Sequence, residues 1–273
     1  MQTKKAIVTL SIGEKAQEMS KLTHPTFKKY AKKINADFIV IDKPKIKKDF
    51  VHFEKYQLYY LLEKYDRIIF FDSDIIIAPE CPDLFEVVPE DKFGAFLDSS
   101  YTNMFENEIK LCQKSCGDIN WKKDYFNVGV LITSKKHKEI FNPNLPIPYI
   151  SKWFPEQTII NYNVQRLKIP IFDIGIKFNH IDYTKNPKKI TRKDYGRFDS
   201  YIIHYAGNWK YKENRLNDIK RDLRILIWPK KFRKIVAKSY YNLIFVYNKF
   251  FSKYSHKIKK NKKDKIIWQN LKK

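Results

Sequence analysis

The run RIIFFDSDIIIAPE at positions 67–80 constrains the fold more than any other stretch of the chain. Isoleucine and phenylalanine before the acids, and isoleucine after them, read as a strand covered on both faces, the pattern of a parallel sheet inside a layered α/β domain. In such a setting an unpaired carboxylate is costly, and Asp72 and Asp74 are two of them. They stand where the strand formed by Ile68 to Phe71 gives out. In an extended chain residues i and i+2 point to the same side, so both carboxylates are expected to face one point. A divalent cation there, Mg²⁺, Mn²⁺ or Ca²⁺, removes the repulsion between them and suits oxygen ligands.

The surrounding pattern supports an α/β domain. A strand is expected at 5–11, a helix at about 15–34, a second strand at 36–42 and a helix over 53–66 that leads into the strand at 67. Further strands are expected at 93–98, 127–133, 169–174 and 201–206. Alternating strands and helices point to a largely parallel sheet, whose ligands bind outside the carboxyl ends of the strands. The mixed polar segment 99–124 reads as a variable loop or lid. With 43% hydrophobic and 16% aromatic residues, and only 7 glycines and 12 prolines, the chain has the composition of a packed domain. Its three cysteines, Cys81, Cys112 and Cys116, do not make a disulfide framework, which fits a reducing compartment. The start is too weakly apolar for a signal peptide, and no run reaches the roughly 20 apolar residues of a membrane span.

Three chemistries compete for the paired acids. Asp72 is read as a turn cap and Asp74 as a surface residue in the plainest one. In a haloacid-dehalogenase-type phosphatase the first acid of such a pair is a nucleophile. There the pair ends the first strand, whereas here two strands precede it and Ile76 fills the usual place of Thr or Val. The third chemistry is a nucleotide-sugar transferase, with the acids holding a metal against a diphosphate.

From Ala6 to Lys210 the chain resembles the glycogenin-like retaining glycosyltransferases, glycosyltransferase family 8, which include bacterial lipooligosaccharide galactosyltransferases. The motifs AIVTLS (6–11), KYDRIIFFDSD (64–74), YFNVGVLIT (125–133), PEQTIIN (155–161) and HYAGNWK (204–210) arrive in the family's order. The resemblance implies a GT-A fold, a Rossmann-like mixed sheet flanked by helices. It also implies a UDP-sugar donor and Mn²⁺ or Mg²⁺ held by Asp72, Asp74 and His204. Thr9, Leu10 and Ser11 then meet the nucleoside, and Lys55 lies near the donor. Ser73 belongs to the acidic motif, and Asn127, Glu156 and Gln157 face the transferred sugar. Gly207 lets the backbone approach the donor, and Lys210 touches the diphosphate. Three positions depart from the family's pattern. Tyr211-Lys212 stands for Pro-Trp, Glu156 for the commoner Asp, and Ala16 for a frequent tyrosine. The expected reaction is transfer of a hexose, glucose or galactose, to a hydroxyl of a glycan or glycolipid with retention. No residue is identified as a covalent nucleophile, and the leaving diphosphate is expected to help deprotonate the acceptor.

Charge separates the end of the chain from the rest. Residues 229–273 hold fifteen Lys and Arg against the single acid Asp264, so more than half of the +24 net charge lies there. Phe232, Val236, Tyr240, Leu243, Tyr247, Phe250 and Tyr254 recur at helical steps within it. The expected organisation is a catalytic domain over 1–228 and a basic amphipathic extension over 229–273. The extension is read as attaching the protein peripherally to the cytoplasmic face of an anionic membrane. Two readings compete with it, a helix packed on its own domain with a solvated charged tail and a nucleic-acid partner, and neither is the expected one.

Overall fold

The computed structural model describes residues 3–46, 48, 50–100, 105–145, 155–181, 194–206 and 215–240. Its centre is a six-stranded sheet in the order β2-β1-β3-β6-β5-β7. The strands are β1 (Lys5–Leu10), β2 (Asp37–Ile41), β3 (Arg67–Phe71), β5 (Phe93–Phe96), β6 (Asn127–Ser134) and β7 (Ile171–Asp173). β1 pairs in parallel with β2 and β3, and β5 with β7, while β6 runs antiparallel between β3 and β5. This is the mixed, parallel-rich sheet expected from the alternation of elements.

Every residue of β3 is buried, and its side chains alternate between two apolar layers. Ile68 and Phe70 join Val8, Tyr56, Phe126 and Ile160 on one face. Ile69 and Phe71 join Ile7, Phe27 and Tyr30 on the other, beneath α1 (Glu14–Lys33). Each such side chain contributes about 1.5–3 kcal/mol by leaving water.

The apolar run 67–80 is not one strand. Asp72, Ser73 and Asp74 form a turn, and β4 (Ile75–Ile77) belongs to a second, three-stranded sheet. There β4 pairs antiparallel with β9 (Ile202–His204), which pairs in parallel with β8 (His180–Ile181). The two acids therefore share a side because they lie in a turn between sheets, and not through strand alternation. Two apolar blocks joined by a short turn give the same pattern as one interrupted strand. Ile76, Ile203, Phe198 and Ala237 meet Ile219, Ile225 and Leu226 of α6 (Arg215–Leu226) in a third core.

Two other expectations change. Residues 53–66 are not a continuous helix: Val51–Gln57 is a 3-10 turn and only Leu58–Leu61, α2, is α-helical. Glu54 explains the tight turn, since its carboxylate accepts the backbone N–H groups of Lys45 and Ile46 and the Gln57 amide. The segment 99–124, expected as a loop or lid, contains α4 (Glu106–Cys116). Ile109 and Cys112 are buried in the core, and Phe105 and Trp121 each stack on Tyr125. α4 packs on α5 (Pro155–Arg166), which carries two of the expected site residues. The short α3 (Leu84–Val87) is capped by Asp83, whose carboxylate accepts the Phe85 N–H.

Candidate active site

Three pieces of chain deliver the acids and the imidazole to one place. β3 ends at Phe71, and the Asp72 N–H donates to the Gly129 carbonyl at 2.8 Å. β4 starts directly after Asp74, opposite β9 with Ile75 beside His204. The Tyr205 N–H closes that corner by donating to the Asp74 carbonyl at 2.9 Å. Thr23 of α1 donates to the Ser73 carbonyl at 2.8 Å, so the turn is held from the helical layer as well.

Each carboxylate is divided between two partners. Asp72 Oδ1 takes Lys55 Nζ at 3.1 Å, and Asp74 Oδ2 takes Arg215 Nη1 at 2.9 Å. The other oxygens turn to His204 Nε2, Asp74 Oδ1 at 3.2 Å and Asp72 Oδ2 at 3.9 Å. One ligand atom from each of the three residues lies within 4.8 Å of the others. Burial would raise the Asp74 carboxyl, but His204 and Arg215 outweigh it and hold the group well below the usual carboxylate range.

Lys55 is 1% exposed and links the acidic turn to α5, with Nζ 3.5 Å from Glu156 Oε1. Burial would favour its neutral form, yet Asp72 and Glu156 outweigh burial and hold the ammonium more firmly protonated than a free lysine. On the same side, the Asn127 Oδ1 accepts the Gly129 N–H at 2.8 Å, and Gln157 Oε1 accepts from Val128 N–H and Asn127 Nδ2, each at 3.4 Å. Asp72, Asp74, His204, Lys55 and Glu156 are thus one cluster of ion pairs, with Asn127 and Gln157 beside it.

Thr9, Leu10 and Ser11 lie at the carboxyl end of β1, where Thr9 is in register with Phe71. Thr9 is buried with no hydrogen-bond partner for its hydroxyl among the described residues, Leu10 sits in the first core, and the Ser11 N–H donates to Ile41. Gly207 and Lys210 lie outside the described residues.

Three residues at this site were not singled out by their sequence. Arg215 holds Asp74. Asn179, fully buried before β8, accepts from His204 Nδ1 at 2.8 Å. Gly129 lies under the imidazole: a Cβ there would stand 2.2 Å from His204 Cε1. Gly129 falls within the YFNVGVLIT motif, whereas Asn179 and Arg215 belong to none.

An oxygen-rich acidic corner joined by one imidazole, outside the carboxyl ends of parallel strands, suits a cation-assisted group transfer to or from a phosphate-bearing ligand. No curated protein matches the chain by sequence. Among solved structures, it is similar to a glycosyltransferase involved in the glycosylation of the major capsid of PBCV-1. That likeness has 13% identity and a TM-score of 0.52, and covers 79% of this chain and 99% of the other. It is also similar to the apo structure of the bifunctional glycosyltransferase WbbM, with 15% identity and a TM-score of 0.53. That match covers 80% of this chain and 50% of WbbM. At these identities the likeness is one of fold, the GT-A arrangement. The family rests on the sequence itself, which matches the glycosyl transferase family 8 model over residues 5–212 and so through the whole acidic cluster: this chain belongs to glycosyl transferase family 8.

Proposed function

We propose that this glycosyltransferase is metal-dependent and moves a hexose from a UDP-sugar to a hydroxyl of a glycan or glycolipid, with retention. The convergence of Asp72, Asp74 and His204 within 4.8 Å carries the reading. The donor set fits a hard divalent cation, because the basic partners Lys55 and Arg215 occupy one oxygen of each acid and leave the other turned inward. Two carboxylates with an imidazole suit Mn²⁺, with Mg²⁺ as the alternative. When bound, such a cation supplies fixed positive charge to the oxygens of the departing diphosphate.

The remaining roles fall to the chain. Thr9, Leu10 and Ser11 receive the nucleoside at the end of β1, and Lys210, with Gly207 before it, meets the diphosphate. Asn127 and Gln157 hold the sugar. Glu156, kept in place by Lys55, is the acid to test near the reacting carbon. The acceptor hydroxyl approaches on the face the diphosphate leaves, and a diphosphate oxygen takes its proton. Calorimetric titration with UDP tests the site. Mn²⁺ is expected to tighten UDP binding to the native protein at least ~10-fold, and Asp74→Asn to remove that gain without unfolding the protein. UDP affinity that is equal with and without Mn²⁺ contradicts the reading.

We further propose that the protein docks on the cytoplasmic face of a membrane, with an anionic leaflet as its partner. The helical residues 230–240 support this reading beyond charge alone. Ile227, Trp228, Phe232 and Ile235 are 80%, 48%, 43% and 64% exposed, and Lys230, Lys231, Lys234 and Lys238 are interleaved with them. The opposite side is fixed to the body by Arg233, ion-paired to Glu80, and by Ala237 in the third core. Val236 and Tyr240 are half-buried, so the exposed apolar face is rotated from the expected stripe of Phe232, Val236 and Tyr240. Leu243, Tyr247, Phe250 and Tyr254 lie outside the described residues. Among the described residues no helix is long and apolar enough to cross a membrane. Sedimentation with vesicles containing phosphatidylserine is expected, weakening as salt rises, and Trp228→Ser with Phe232→Ser should reduce it even at low salt. Equal sedimentation with purely zwitterionic vesicles contradicts it.

A further inference from the structure

We propose that Asn179 is a positioning residue of the metal site, fixing the ring of His204 so that Nε2 faces Asp72 and Asp74 with its lone pair. The proposal rests on the metal reading given above. Its warrant is a line of hydrogen bonds whose direction is set by backbone groups that can only donate. The Gly129 N–H donates to Asn127 at 2.8 Å, so the atom it meets is the amide oxygen. That oxygen also takes a hydrogen bond from Asn179 at 2.9 Å, which must come from the Asn179 amide nitrogen. The Asn179 oxygen is then left for His204 Nδ1 at 2.8 Å, and an oxygen there requires the ring to carry its proton on Nδ1. In the neutral ring Nε2 is then the unprotonated nitrogen, the one that can ligate a cation.

A second backbone donor agrees with this direction. The Val128 N–H meets Gln157 at 3.4 Å, so that atom is the Gln157 oxygen, and Asn127 Nδ2 donates to it at 3.4 Å. Turning Asn179 over would set its oxygen against the Asn127 oxygen and an N–H against His204 Nδ1. Asn179 is fully buried, so water cannot repair the contact between the two oxygens. Gly129 completes the seat from below, since a Cβ at that position would lie 2.8 Å from His204 Nδ1 and 2.9 Å from Nε2. The same asparagine therefore joins the metal end of the site to Asn127 and Gln157 at its sugar end. Partners of this kind behind a ligating histidine change metal affinity by about 10–100-fold when removed.

The test is Mn²⁺ binding to the full-length protein without nucleotide, followed by the loss of the free Mn²⁺ electron paramagnetic resonance signal. Asn179→Leu is expected to weaken Mn²⁺ binding by about 10–100-fold. Asn179→Asp keeps an oxygen on Nδ1 while losing the donor to Asn127, so it should bind Mn²⁺ within about threefold of the native protein or more tightly. A purely structural role gives the opposite order, because a buried carboxylate facing the Asn127 oxygen disturbs packing more than leucine does. Asp binding Mn²⁺ no better than Leu overturns the proposal, as does a Leu variant with native affinity. His204→Ala separates the two levels. If it abolishes binding while Asn179→Leu does not, only the role of Asn179 falls. If it leaves binding unchanged, the metal site falls and this proposal with it.

Discussion

Lys55 and Gly129 show how single residues set the terms of this site. A lysine 1% exposed would be strongly destabilising alone, but between Asp72 and Glu156 it fixes two elements of the fold and one oxygen of the acidic pair. Gly129 acts by having no side chain, since the imidazole of His204 lies where a Cβ would be. Gly129→Ala is therefore expected to displace His204 and cost about 1–3 kcal/mol in stability. A shift of the ring by an ångström should lower transfer ~100-fold, with Mn²⁺ affinity falling in parallel. Thermal unfolding and Mn²⁺ titration of the variant check both effects. Part of this scale was legible in the sequence: the two acids, the histidine, Lys55, Asn127, Glu156 and Gln157 come from spaced motifs and lie close together in the fold. Asn179 and Arg215 were not, because a lone amide and one arginine in a chain of 54 Lys and Arg carry no local signal.

Elements were read well where periodicity decides and poorly where a turn does. α1 and the strands of the large sheet follow the expected order, with bounds shifted by a few residues at most. Periodicity could not show that the apolar run 67–80 crosses from one sheet to another, since isoleucines on either side of a turn look alike. Nor could polarity reveal α4, whose buried face is only a few residues wide and is completed by Phe105 and Trp121 on Tyr125. The helical residues 230–240 make the clearest prediction at this scale. Arg233 pairs with Glu80 and donates to the carbonyls of Leu226 and Trp228. Arg233→Ala should weaken the docking of this helix by about 2–4 kcal/mol while sparing the large sheet. Hydrogen exchange is expected to rise over 227–240 and stay unchanged in β1, β3 and β6.

At the scale of the molecule, the acidic turn is the junction between the large sheet and the small one, which packs on α6. Asp72 follows the end of β3, Asp74 precedes the start of β4, and β9 brings His204 back from more than a hundred residues later in the chain. The apolar and basic face around Trp228 belongs to the third core's side of the molecule, through Arg233 and Ala237. The docking proposed for this face would bring acceptors carried by lipids near the acidic turn. The reading as a whole stands or falls on donor cleavage at the acidic turn. Release of UDP from UDP-glucose and UDP-galactose, measured with Mn²⁺ and again in excess EDTA, is the most direct measurement of it. UDP release from at least one donor is expected with Mn²⁺, reduced at least ~100-fold by EDTA and by Asp72→Asn. Near-normal release in EDTA, or an Asp72→Asn variant as active as the native protein, would contradict it.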